Sequence, residues 1–203
     1  MLNATELSEI IKNDKNDRNR LTIVPMPDPS DIKKRGATSI DLRLGRWFVT
    51  FNQTRRSAIS LADLRGYEKE TKAKTREHFV RFGDEFTIHP GRFVLGVTFE
   101  WIRLPASLSA QLLGKSSLGR HGLIIETASG VHPNFSGCLT LEIANVGEVP
   151  LKVFPGMQIA QLFVHEVEPS GSRNRGSLSG SRKPSVPAIE RDKILRSLSK
   201  NPD

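Results

Sequence analysis

The 203-residue chain has one cysteine, one tyrosine, two tryptophans and no apolar run near the eighteen or so residues that a membrane helix needs. A lone Cys138 can form no intramolecular disulfide, and it rules out a zinc site built on several cysteines. Its setting, Ser-Gly-Cys-Leu-Thr-Leu, alternates like a strand, so Cys138 is expected to be a small buried side chain rather than a reactive thiol. The first twelve residues hold an Asn and two glutamates where a secretion signal would place basic residues and an apolar core. A cytoplasmic location, with no membrane association, is the expectation. The few aromatics are not interleaved with the basic residues, which argues against stacking on nucleic-acid bases.

The net charge of +8 is unevenly placed. From Pro169 to Asp203 eight Lys and Arg face three acidic residues, so +5 of the excess lies in the last stretch. That stretch is rich in Ser, Gly, Arg and Pro, a composition too poor in apolar side chains to offset its own ordering entropy. Two regions are therefore expected, a folded domain over residues 1–168 and a basic tail or lid over 169–203.

Within the domain, Leu7, Ile10 and Ile11 recur at helical spacing, predicting a short amphipathic helix over about 4–13 with Thr5 able to cap it. A loop through Pro25 and Pro29 should follow. From Thr38 onward short alternations take over: Ile40-Leu42-Leu44, Trp47-Val49-Phe51, Phe86-Ile88, Phe93-Leu95-Val97, Leu139-Leu141-Ile143, Leu151-Val153 and Ile159 to Val164. Gly-containing turns separate them, which predicts an all-β sandwich, barrel or jelly roll. Ser60 to Glu77 is polar and highly charged and reads as a mobile excursion or a short helix.

The chemistry-bearing stretch runs from Gly114 to Glu142. Lys115 and Arg120 bring cations, and Ser116 and Ser117 bring hydroxyls and backbone donors between Gly114 and Gly119, a combination suited to a polyanion such as a triphosphate. It lacks the Walker A spacing, and a solvated loop is the alternative reading. Further on, Glu142 interrupts the apolar alternation Leu139-Thr140-Leu141-Glu142-Ile143. A carboxylate there is either a functional acid/base, its pKa lifted by burial, or a solvent-face residue paired with a neighbouring cation.

Gly36-Ala37-Thr38-Ser39-Ile40-Asp41-Leu42-Arg43-Leu44-Gly45, His89-Pro90-Gly91, Gly114 to Leu123, Ser136-Gly137 with Leu139 to Glu142, and Pro155-Gly156-Met157 occur in an order and spacing that resembles the dCTP deaminases. The resemblance covers roughly residues 20–168. It implies a distorted jelly-roll β-barrel shared with trimeric dUTPases, assembled as a homotrimer with sites at subunit interfaces. It implies that Glu142 activates the water attacking C4 of cytosine, that Arg120 lies close to that water and the base, that Ser116 holds the geometry and that Lys115 contacts phosphate. Ser117, Thr127, Ala128, His132 and Gln161 complete the implied nucleotide-binding set, with Thr127 and Ala128 walling the pyrimidine. Magnesium is expected on the triphosphate, and zinc is not. The cysteine count agrees, since zinc-dependent cytidine deaminases need a Pro-Cys-x-x-Cys pair that this chain cannot supply.

Two places depart from the family pattern. His132 stands where many deaminases and dUTPases carry an aspartate, which disfavours a pure dUTPase and weakens a bifunctional deaminase–diphosphatase; a loop histidine bonded to backbone is the plainer reading. The tail shows Ser177-Leu178-Ser179-Gly180-Ser181 in place of the family's Lys-Tyr-Gln-Gly-Gln. Conversion of dCTP to dUTP and ammonia is the leading expectation. A bifunctional enzyme, a deaminase of another cytosine nucleotide and a non-catalytic nucleotide-binding paralogue are the alternatives.

Overall fold

A computed structural model describes residues 1–12, 20–52, 75–126, 130–169, 180–184 and 186. Helix α1, Ala4–Lys12, opens on a reciprocal cap. The Asn3 side-chain oxygen accepts the N–H groups of Thr5 and Glu6 at 3.0 and 3.1 Å, and Glu6 returns a carboxylate oxygen to the Asn3 N–H at 2.7 Å. The cap is thus Asn3 rather than Thr5, because the Asn3 side-chain oxygen already accepts the first-turn donors. Leu7 and Ile11 are buried, and α1 packs on a helix not foreseen in the sequence, α2, Pro29–Lys34. Proline ends the preceding loop and also starts this helix, where its missing N–H costs nothing; Asp28 caps it by accepting the Ser30 N–H at 2.8 Å.

The rest of the described chain is mostly strand, as expected. The elements are β1 Thr22–Val24, β2 Ile40–Arg43, β3 Trp47–Phe51, β4 Thr75–Phe79, β5 Phe86–Ile88, β6 Phe93–Val97, β7 Trp101–Arg103, β8 Leu108–Gly114, a short helix α3 Ser116–Gly119, then β9 Leu123–Glu126, β10 Ser136–Gly137, β11 Thr140–Asn145, β12 Leu151–Val153 and β13 Gln158–Glu166. A five-stranded sheet runs β4-β3-β6-β11-β9, and a three-stranded sheet runs β2-β13-β8. Smaller sheets β1-β7-β10 and β12-β5 close the sides, and every pair is antiparallel. The chain passes from one large sheet to the other at Gly45, where an added Cβ would stand 2.8 Å from the Val97 carbonyl oxygen. Only glycine lets the corner approach that closely.

One apolar core joins the sheets, with Leu42, Phe48, Leu141, Ile143 and Leu162 fully buried and the Phe48 and Phe86 rings stacked at 4.4 Å. Truncating a side chain such as Leu141 to alanine should cost about 2–5 kcal/mol. Each strand read from the sequence is present, while β1, β4, β7, β8, β9 and β10 add to them. The excursion expected over Ser60 to Glu77 needs correction at its end, since Thr75 to Glu77 belong to β4 and pair in register with β3; residues 60–74 lie outside the described residues. Among the described residues no helix is long and apolar enough to cross a membrane.

Part of the expected tail lies on the barrel. The Gly180 N–H donates to the Ser136 carbonyl, and the Cys138 N–H donates to the Ser181 carbonyl at 2.8 Å. The Lys183 ammonium sits 3.8 Å above the Trp47 ring and 3.1 Å from a Glu77 carboxylate oxygen, and Pro184 is buried. Cys138 itself is half-buried, and burial pushes its thiol pKa up, as suits an unreactive side chain.

Candidate functional site

Strand β8 leads into the segment that the sequence marks as suited to a polyanion. Its last residue, Gly114, lies against β9 so closely that an added Cβ would be 3.1 Å from the Ile125 Cβ. Lys115 follows, its N–H bonded to the Ile159 carbonyl at 3.2 Å, and then the chain turns into α3, a helix that the sequence alone read as a turn. Ser116, Ser117 and Arg120 are exposed, whereas Leu118 packs on the core and fixes the turn in place. First-turn N–H groups have no partner inside a helix, so this segment presents backbone donors together with its hydroxyls and its cations.

Lys115 is tethered. Its Nζ lies 2.9 Å from Asp41 Oδ1 and 3.1 Å from Gln158 Oε1. Asp41 also receives Arg35 on Oδ2 at 3.1 Å and the Gln161 amide on Oδ1 at 3.3 Å, and Gln161 donates to Ser39 Oγ at 3.1 Å. Burial is the strongest single influence on the Asp41 carboxyl and opposes its ionisation. The hydrogen bonds and charges of Lys115 and Arg35 together outweigh it and hold the pKa below its ordinary value. Gln161, expected to touch nucleotide, is thus placed beneath Lys115 as part of its support. Asp41 stands in the sequence motif Gly36 to Gly45 without a site role assigned to it, and Arg35 was not picked out at all.

Glu142 stands on β11 between buried Leu141 and Ile143, on the opposite, exposed face. The burial expected of Glu142 is therefore not present in the single chain, because alternation turns it away from the core. Its neighbours in register are Leu95 on β6 and Glu126 on β9, so two carboxylates face each other at the sheet's edge. Leu123 pairs with Asn145, which puts Glu142 three residues, ~10 Å, along the strand from the β9 end that Arg120 precedes. Gly114 meets the core side of Ile125, whereas Glu142 and Glu126 point outward. Ser116, Ser117, Arg120 and Glu142 are thus all exposed on the single chain. A cavity of about 350 Å³ lined by Thr50, Phe51, His89, Arg92 and Phe93 contains none of the expected site residues.

His132 is exposed in the loop after Val131, which bridges to Ala110, and its carbonyl accepts the Phe135 N–H at 3.2 Å. Thr127 and Ala128 lie outside the described residues. The sequence reading also missed Glu100, a buried carboxylate at the β6–β7 turn that accepts the Arg43 N–H at 2.8 Å. Among the described residues no three His, Cys, Asp or Glu side chains cluster as a metal ligand set. A magnesium ion carried on nucleotide phosphates, with oxygen and water ligands, asks for no such set.

Residues 3–167 match the family described as dCTP deaminase-like. The chain belongs to the dCTP deaminase family. A dCTP deaminase of Natronomonas pharaonis is 38% identical over 167 residues, covering 82% of this chain and 83% of the relative. A protein of Mycobacterium ulcerans named dCTP deaminase, dUMP-forming, is 37% identical over 176 residues, 84% of this chain and 90% of its own. Another of that name from Rhodococcus erythropolis is 41% identical over 164 residues, 77% and 84% of the two chains. The solved structure of a 2'-deoxycytidine 5'-triphosphate deaminase from Agrobacterium tumefaciens aligns with 62% of this chain and 38% of its own, at 21% identity and a TM-score of 0.48.

Proposed function

We propose that the protein hydrolyses the C4 amino group of dCTP, giving dUTP and ammonia without zinc. The observation that carries this reading is an exposed segment of Lys115, Ser116, Ser117 and Arg120 beside a sheet whose outer face presents Glu142. On this reading a complete site forms where the exposed Glu142 of one copy meets the exposed segment of another, in a homotrimer. Closing that interface shields Glu142 from bulk water, leaving the carboxylate to act as general base on a single bound water.

The reaction follows from those groups. Glu142 takes a proton from water as its oxygen bonds to C4, and Arg120 stabilises the charge of the tetrahedral adduct. Ser116 orients the water, while Lys115 and Ser117 hold the phosphates. Glu142 passes that proton to N3, then takes the hydroxyl proton of the adduct and gives it to the exocyclic nitrogen, so that C4=O forms as the C4–N bond breaks, ammonia leaves and the carboxylate is restored. Magnesium supplies charge neutralisation on the triphosphate, and the enzyme works in the cytoplasm.

The test is to incubate purified protein with dCTP and magnesium, then separately with CTP, dCMP and dUTP, following ammonia and separating the products by anion exchange. Ammonia and dUTP from dCTP alone support the reading, and absence of ammonia from every substrate sinks it. A second reading, continued hydrolysis to dUMP and diphosphate, is favoured by the dUMP-forming names of relatives at 37% and 41% identity. Appearance of dUMP in the same assay would select it.

A further inference from the structure

Lysine is a point charge on a flexible four-carbon stem with three N–H donors, so where it points has to be imposed from outside. At Lys115 the imposition is visible. Asp41 and Gln158 engage the ammonium at 2.9 and 3.1 Å, and the lysine side chain keeps only 22% of its surface exposed. Asp41 in turn cannot move freely. Its backbone is paired with Gln161 in the β2–β13 ladder, Arg35 at the end of α2 holds one carboxylate oxygen, and the Gln161 amide shares the other. The Asp41 side chain keeps only 9% of its surface exposed, so this is a built anchor with contacts from three separate elements and not a chance surface ion pair.

We infer that Asp41 is the positioning residue for the cation of the polyphosphate segment, holding Lys115 so that one N–H is left for a phosphate oxygen of the bound nucleotide. This rests on the reading of Lys115 to Arg120 as the phosphate-binding segment. Holding the lysine before ligand arrives lowers the ordering cost of binding, and the Asp41 charge compensates the ammonium while the site is empty. An asparagine at 41 would keep the shape but offer one acceptor where two are used, and would turn an NH2 group towards cationic donors.

The experiment uses inorganic tripolyphosphate as the probe, titrated calorimetrically into the full-length protein. Asp41→Asn is expected to weaken its binding by about tenfold, the order that loss of preorganisation produces. Lys115→Ala should weaken it at least as much, and the double variant should bind no more weakly than Lys115→Ala alone. Wild-type or tighter affinity in Asp41→Asn would overturn the inference, and so would additive losses in the double variant. If Asp41→Asn does not fold, Asp41→Glu keeps the charge while displacing the carboxylate by one methylene; it too should lose affinity, and wild-type affinity there would overturn the inference. Absence of tripolyphosphate binding by the wild-type protein would sink the reading of the segment itself, a result distinct from intact binding that ignores residue 41.

Discussion

Glu142 of β11 and Glu126 of β9 stand directly opposite each other on the exposed face of the five-stranded sheet. Like charges directly opposed across an antiparallel pair weaken it. Glu126→Gln is therefore expected to stabilise the fold by about 0.2–1 kcal/mol, seen as a rise in melting temperature that shrinks at high salt. A lowered melting temperature would show that Glu126 is held by a favourable partner instead.

Removing the proton-accepting group while keeping its shape separates chemistry from binding. Glu142→Gln should abolish ammonia release from dCTP and leave nucleotide affinity within several-fold of wild type, measured by product assay and calorimetry. Retained turnover would assign the general base elsewhere.

The proposed reaction gives Arg120 two roles. It lies exposed directly after α3, where it can meet both the phosphates and the adduct. Arg120→Ala should raise the dissociation constant and also lower kcat, and an unchanged affinity would remove Arg120 from the site.

Glu100 makes stability depend on pH. Burial pushes its carboxyl above the ordinary value of 4.5, against the opposing hydrogen bonds of the Arg43 and Glu100 N–H groups. The folded chain thus binds this proton more tightly than the unfolded one, so the contribution of Glu100 is fully present below pH 4.5 and is lost as pH rises through the folded value. In Glu100→Gln this loss should disappear, and urea midpoints recorded from pH 4 to 8 check it. An identical pH slope in both proteins would count against the sign.

The docked tail predicts its own variant. Gly137 has φ +152°, and an added Cβ would lie 3.1 Å from the Ser181 carbonyl oxygen. Gly137→Ala should loosen residues 180–184 and expose them to proteolysis, with a lower melting temperature. Unchanged proteolysis would mean that the contact is dispensable.

What could be read in the sequence followed the physics of each signal. Leu139-Leu141-Ile143 was legible because that face of the strand is buried, and Trp47-Val49-Phe51 by its alternation alone, since fully buried Phe48 lies on the other face of β3. β4 was not, because Thr-Arg-Glu-His-Phe owes its state to pairing with β3, a partner far along the chain. Helix α2 was hidden behind Pro29, which signals both a break and a start. In the site, Lys115, Ser116 and Arg120 stood out by clustering in sequence. Asp41 did not, since its role comes from side chains that only folding brings to it.

The sole sulfhydryl of the chain sits where the tail docks, with the Cys138 N–H bonded to Ser181 and its side chain half-buried. That makes the protein its own reporter. The rate at which an alkylating reagent consumes Cys138 becomes a clock for departure of the docked segment, and comparing rates with and without nucleotide would time that movement with no label added to the chain.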